Sequence, residues 1–272
     1  MVSTTFSPEI EPVANLTTTT KIVLIVEYDG TRYHGFQLQA KLPTIQRELE
    51  EALWKLTGER LRVLAASRTD AGVHAKGQVV SFRTGSPHSP ETFIKALNYY
   101  LPKDIAVKAA HKVKDSFNVR RQAVSREYNY YILNSLTRSP LRERFYYLVP
   151  GHLDIKAMNQ ACQVLIGEHD FASFVGNSEV ALKSTVRRVF RAEMRKDGEL
   201  AIFHMVANSF LMHQVRNTVG TLIRVGRGEK SGDEFYSIVE AKKPGLAWPT
   251  APARGLCLMQ VNYSRPFEGE SQ

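Results

Sequence analysis

The residues best placed to do chemistry lie in one stretch, Ser67-Arg68-Thr69-Asp70-Ala71-Gly72-Val73-His74-Ala75-Lys76-Gly77. It is polar, small and glycine-rich, and it sits between two hydrophobic segments, Leu61 to Ala66 and Gln78 to Phe82. That pattern reads as a loop between strands. The loop presents one carboxylate, Asp70, with Arg68 two residues ahead of it. It contains no Glu and no second Asp, so a glycosidase-type acid/base pair cannot come from the loop alone. A lone Asp in a loop is ordinarily an Asx-turn, bonded to nearby backbone N–H groups. What singles out Asp70 is a basic chain that offers few other candidates.

Those other candidates fall away quickly. Eight histidines are present, but none falls in HExxH or another compact ligand spacing, so no metal site is expected. Cys162 and Cys257 lie far apart within apolar segments and read as buried thiols in a reducing compartment. Gly226-Arg227-Gly228-Glu229-Lys230-Ser231 lacks the frame of a phosphate loop and would set Glu229 among the phosphates. No GxGxxG follows a strand and no GxSxG elbow occurs, so neither a dinucleotide cofactor nor a hydrolase nucleophile is indicated.

Two further stretches carry unusual residues. Arg126-Glu127-Tyr128-Asn129-Tyr130-Tyr131 has strand character, with Tyr128 and Tyr130 facing one way and Tyr131 the other. Half-buried packing accounts for at least two of these rings; one facing a cleft could stack on a base, worth roughly 1–3 kcal/mol. In Asn208 to Asn217, Arg216 directly follows Val215 on the apolar stripe of an expected helix. A mostly interior guanidinium requires a carboxylate partner, and Asp70 is the natural one.

The elements that must position these residues fall in two halves. In the first, Lys21 to Tyr28 is an apolar strand, and a helix from Thr44 carries Ile45, Leu49, Leu53 and Leu56 until Gly58 stops it. Strands at 61–66 and 78–83 bracket the loop, Pro90 opens a helix with Phe93, Ile94 and Leu97, and a strand at 105–113 closes the unit. That is β-α-β-β-α-β, the ferredoxin-like order. The second half repeats it, with a strand at 124–133 and a helix capped by Asp154. A strand from Thr185 to Arg195 follows, with Val186, Phe190, Ala192 and Met194 on its apolar side. Its partner spans 199–206, helices lie at 209–224 and 233–241, and a strand at 255–263 ends the half. The expected fold is therefore α+β, two ferredoxin-like halves with antiparallel sheets joined around a central basic cleft. The halves span 21–115 and 116–265, with tails at 1–20 and 266–272. The longer connections 135–152 and 167–184 are candidates to fold over a ligand.

At 272 residues with 43% hydrophobic content, the chain has room for such a core. Its net charge of +9 points to a polyanionic partner. The basic residues cluster as Arg120, Arg121 and Arg126, and as Lys183, Arg187, Arg188, Arg191, Arg195 and Lys196. No secretory signal or membrane-length apolar run is found, so a soluble, cytoplasmic protein is expected. Residues 1–20 read as a mobile tail, in which the Asn15-Leu16-Thr17 sequon has no meaning without secretion.

Three stretches together resemble the signatures of TruA-type tRNA pseudouridine synthases: Ser67 to Ala75, Arg126 to Tyr130, and Phe210-Leu211-Met212-His213-Gln214-Val215-Arg216-Asn217-Thr218-Val219-Gly220. Supporting matches are Tyr28 to Gln37, Gly167 to Phe171 with Phe174, and Ala251 to Leu256, so that the resemblance covers about residues 21 to 263. The first signature is highly specific; the others mean little alone. The resemblance implies isomerisation of uridine to pseudouridine at positions 38, 39 and 40, in the anticodon stem-loop of tRNA. It also implies a homodimer that needs no metal or organic cofactor and cradles the tRNA. Carried over residue by residue, it makes Asp70 the nucleophile, held ionised and aimed by Arg216. Tyr128 would stack on the flipped uracil and assist removal of the C5 proton, Arg68 would help hold the extruded nucleotide, and Leu256 would pack beside the base. Whether Asp70 attacks C1′ or C6, or takes the 2′ proton, is left open by the residues. A non-catalytic protein with two RRM-like lobes would suit the order and charge, but the RNP1 pattern is missing. A nucleoside hydrolase would usually want a second carboxylate or a metal beside Asp70.

Overall fold

The computed structural model describes residues 19–176, 184–265 and 267. The expected tails, apart from residues 19, 20 and 267, lie outside the described residues, as do the sequon, Lys183 and the middle of the 167–184 connection. In chain order the strands and helices are β1 (Thr20–Tyr28), α1 (Ile45–Thr57), β2 (Leu64–Ala65), β3 (His74–Thr84), α2 (Pro90–Tyr100), β4 (Ile105–Val113), β5 (Ala123–Leu133), β6 (Tyr147–Leu148), α3 (Ile155–Cys162), β7 (Gly167–Asp170), β8 (Val186–Asp197), β9 (Leu200–Ala207), α4 (Gln214–Gly226), α5 (Gly232–Ala241) and β10 (Leu256–Tyr263).

Local chemistry sets most of the helix ends. Thr44 accepts from the Arg47 N–H at the start of α1, and Gly58 closes it with φ 73°, a conformation that costs glycine little. Ser89 caps α2 ahead of Pro90, Asp154 caps α3, and Ser231 with Glu234 forms a full capping box on α5. The apolar stripe of α1, including Ile45, Leu49 and Leu53, joins Ile22, Leu24 and Val26 of β1 in one continuous core. Phe93 of α2 meets Phe82 of β3 edge-on, with centroids 5.5 Å apart.

The strands form one ten-stranded sheet in the order β4-β1-β3-β10-β5-β9-β8-β7, with β2 on β3 and β6 on β5. The two expected sheets are thus continuous. They join where β3 and β10 run parallel over only two residue pairs, Cys257 with His74 and Leu258 with Ala75. Every neighbour pair on the main path except that seam is antiparallel.

Four expectations change. The strand expected at 61–66 shrinks to Leu64–Ala65, and β3 starts early at His74, so the back of the expected loop is already paired. Phe190 is exposed and Val189 buried, because the register slips between Val189 and Arg191 and turns the side chains over. The helix expected from Ser209 begins only at Gln214, after His213 takes a left-handed conformation with φ 58°. Finally, the connection after α3 contains strand β7, paired with β8.

Candidate active site

The Asp70 loop is pinned at several points before its carboxylate. The Gln78 amide, fully buried on β3, donates to the Ser67 carbonyl at 2.8 Å. Thr69 bonds the Tyr28 hydroxyl at 2.8 Å, and its carbonyl accepts from the Phe36 N–H at 3.0 Å. That last contact needs Gly35, whose φ is +88° and where a Cβ would stand 2.7 Å from the Thr69 carbonyl oxygen. Beyond Asp70, Gly72 donates to Tyr33 and Val73 donates back to the Asp70 carbonyl. The loop is therefore rigid by hydrogen bonding, which suits a residue that must be aimed.

Asp70 and Arg216 meet across the molecule, with Arg216 Nη1 donating to Asp70 Oδ2 at 3.1 Å. The same guanidinium donates from Nε to the Ala251 carbonyl at 2.8 Å, while the Ala251 N–H returns to the Arg216 carbonyl. Side chain and backbone of Arg216 are thus both tied to Ala251 as the guanidinium reaches the carboxylate. His213 is the residue sequence reasoning missed: its Nε2 lies 3.5 Å from the same Oδ2. The available signal was its place one turn before Arg216 at the head of α4. Its neighbour Gln214 is fully buried and caps the turn by accepting from the Leu211 N–H.

Tyr128 lies 5% exposed beside this pair. Its hydroxyl bonds Ser67 Oγ at 3.0 Å, and its ring meets Phe210 edge-on at 5.0 Å. Burial pushes its phenol up to about 12; the bond from Ser67 opposes this, and the charge of Asp70 adds to it. Tyr130 shares the face but is fully buried, its hydroxyl donating to the Pro252 carbonyl, so it is core. Tyr131 faces away and is bonded by Asn129. Leu256, at the start of β10, is 6% exposed and lines the same cleft.

The cleft holds about 550 Å³, within the range of small-ligand pockets. Arg68, Asp70, Arg120, Arg126, Tyr128, His213 and Leu256 all contribute to its lining. Among the described residues, Asp70 is the only carboxylate that lines it. Arg68 is exposed at the rim and its charge lowers the pKa of Arg120, after the larger effect of Arg120's own desolvation. Two cations therefore face each other there. Arg126, expected to belong to a surface basic cluster, is instead 7% exposed and turned inward onto backbone carbonyls. No group of three or more His, Cys, Asp or Glu residues suited to a metal occurs among the described residues, nor does a helix long and apolar enough to cross a membrane. Cys162 and Cys257 are buried free thiols, both pushed up to about 12 by desolvation.

The cleft thus brings together a single carboxylate met by a guanidinium, a buried aromatic ring and a basic rim. Consistently, the family model described as tRNA pseudouridine synthase matches residues 24–120 and 161–264. The chain belongs to that family and isomerises uridine to pseudouridine in tRNA. It is similar to proteins named tRNA pseudouridine synthase A. With that of Geotalea uraniireducens it shares 42% identity over 89% of this chain and 99% of the relative. The figures are 43% over 90% and 98% for the one from an Exiguobacterium species, and 45% over 92% of each for that of Roseiflexus castenholzii.

Proposed function

We propose that this enzyme acts on the anticodon stem-loop, at positions 38, 39 and 40, with Asp70 as its nucleophile. The observation that carries the site assignment is that, among the described residues, Asp70 alone supplies a carboxylate to the cleft and is met there by Arg216 at 3.1 Å. The C1′–N1 bond of uridine breaks, C1′ is rejoined to C5, the proton on C5 is lost and the freed N1 gains one, so that no atom is added or removed. Because the base is never released, holding it in place matters as much as the attack. The target nucleotide must leave the stack, costing a few kcal/mol. Arg68 and Arg120 at the rim suit the phosphates of the extruded nucleotide, and Leu256 packs beside its base. Tyr128 stacks on the uracil as a neutral phenol, since a group pushed up to about 12 does not ionise near neutral pH. Any part it has in removing the C5 proton is played through its hydroxyl, not as a phenolate.

The positional assignment and the homodimer rest on the family resemblance. The reading of two ferredoxin-like halves, 21–115 and 116–265, is supported by strand order: β4-β1-β3-β2 on one side of the seam and β10-β5-β9-β8 on the other. No metal or organic cofactor is invoked, and the cytosol is the compartment that suits two free cysteines. Mapping pseudouridine in tRNA from cells with and without the protein tests the substrate. Loss confined to positions 38–40 supports it, and unchanged pseudouridine there overturns it.

A further inference from the structure

Arg126 lies on the floor of the cleft and has no part in the chemistry described above. Its guanidinium donates four hydrogen bonds, all to backbone carbonyls. Nη1 reaches Asn208 at 2.6 Å and Ala123 at 3.3 Å; Nη2 reaches Arg120 at 2.9 Å and Ala66 at 3.1 Å. Desolvation lowers its pKa, the cost expected of a cation held by dipoles rather than by a carboxylate.

The four carbonyls are not a random set. Ala66 directly follows β2 and precedes Ser67, so its carbonyl fixes the chain just before the Asp70 loop. Asn208 begins the segment that leads to His213 and Arg216, and its own side chain is tied to Arg188 and Ser209. Arg120 stands at the rim beside Arg68, and Ala123 opens the strand that carries Tyr128. One planar group thus touches the segments that bring Asp70, Arg120, Tyr128 and Arg216 to the site. Only arginine can do this, because its five N–H donors form a fixed fork; a lysine ammonium has three donors on a point.

We propose that Arg126 is a positioning residue for isomerisation. It sets the spacing between the Asp70 loop and the Arg216 helix by clamping the carbonyls of Ala66 and Asn208. Without the clamp, the two segments remain linked only by the Asp70–Arg216 contact and its neighbours, and the carboxylate loses its aim. A displacement on the order of 1 Å at a reacting group costs about a hundredfold in rate. Substrate affinity, set mainly by phosphate contacts, should change little.

The inference rests on the pseudouridine reading, and the test separates the two. Wild type, Asp70→Asn, Arg126→Lys and Arg126→Ala are compared by kcat, KM and tRNA binding, with folding followed by thermal melting. The expected result is a kcat lower by roughly a hundredfold in Arg126→Lys, with KM and tRNA affinity within about threefold. Added guanidinium ion should restore part of the Arg126→Ala rate, whereas methylammonium should not. If Arg126→Ala does not fold, the folded Arg126→Lys protein decides. A folded Arg126→Lys enzyme with near-wild-type kcat overturns the inference, as does a rate loss matched by the unfolded fraction. If wild type itself forms no pseudouridine, the reading of the reaction fails instead.

Discussion

Between β2 and β3 the chain leaves the sheet as the loop that carries Asp70, whereas at the corresponding place across the seam β8 and β9 are joined by a tight turn at Gly198 (φ 57°). The contrast follows from strand length. Strand β2 pairs over two residues, which frees the chain after Ala65 to cross toward β10. Strands β8 and β9 pair from Val189 to Asp197, which leaves no loop to spare. The second side therefore contributes through a different connection, the stretch from Asn208 to His213 that links β9 to α4. One side supplies the anion and the other supplies Arg216, so neither side holds a complete site. Two similar strand orders become one asymmetric enzyme by spending length at different connections.

The largest effect should come from removing the anion. Asp70→Asn is nearly isosteric, so the loop pinned by Gln78, Tyr28 and Phe36 should keep its shape. Isomerisation should fall by at least about a thousandfold while tRNA binding stays within a few-fold. Measurable turnover near the wild-type rate would remove Asp70 from the role of nucleophile. The partner across the seam comes next. The Arg216 and Asp70 side chains are 16% and 26% exposed, so the pair is partly screened. Arg216→Ala should then lower kcat by roughly a hundredfold, less than the loss of a fully buried pair would give. Arg216→Lys should recover part of that rate, because it keeps the charge but cannot hold Ala251 and Asp70 with one planar group. Equal rates for the two variants would mean that the fork matters and the charge does not.

Much of this contrast was legible from residue types. The Asp70–Arg216 pair followed from an interior guanidinium and a single candidate carboxylate. Most helix starts followed from Thr44, Pro90 and Asp154. What could not be read was long-range pairing. Nothing local says that β3 and β10 meet in parallel, or that Arg126 turns inward; both depend on which strands become neighbours. The misplaced Phe190 has the same origin, since a bulge is a property of two strands together. His213 was passed over because the helix was expected from Ser209, whereas it begins at Gln214 and leaves His213 at its head in a left-handed conformation.

Whether the two sides fold as one body can be tested through their buried tyrosines. Tyr28 on one side and Tyr128 and Tyr130 on the other all have raised pKa values, with desolvation the main cause. A raised pKa in the folded state favours folding below the ordinary phenol value of 10.0, and the benefit is lost as pH rises through the folded value. Stability should therefore decline above about pH 10. In an absorbance titration, these buried phenols should ionise together with loss of structure, in one step if the seam is cooperative. Two separated steps would show that the sides unfold independently.

The smallest expected effect compares the cleft rim with the outer strand. Arg68 and Arg120 both line the cleft, where the charge of Arg68 acts on Arg120. By contrast, Arg191 is engaged by Glu193 at 2.9 Å, and Arg187 donates to the carbonyls of Ser184 and Val186. A cation already occupied in the free protein gains less on meeting a phosphate and displaces fewer counterions from the RNA. Replacing Arg68 and Arg120 together with Gln should lower the slope of log affinity against log salt by about 1.5, near the value for two phosphate contacts. Replacing Arg187 and Arg191 should change it by less than half as much, without altering kcat for bound substrate. The reverse ranking would place the RNA along β8 and leave the rim arginines a role in holding the extruded nucleotide alone.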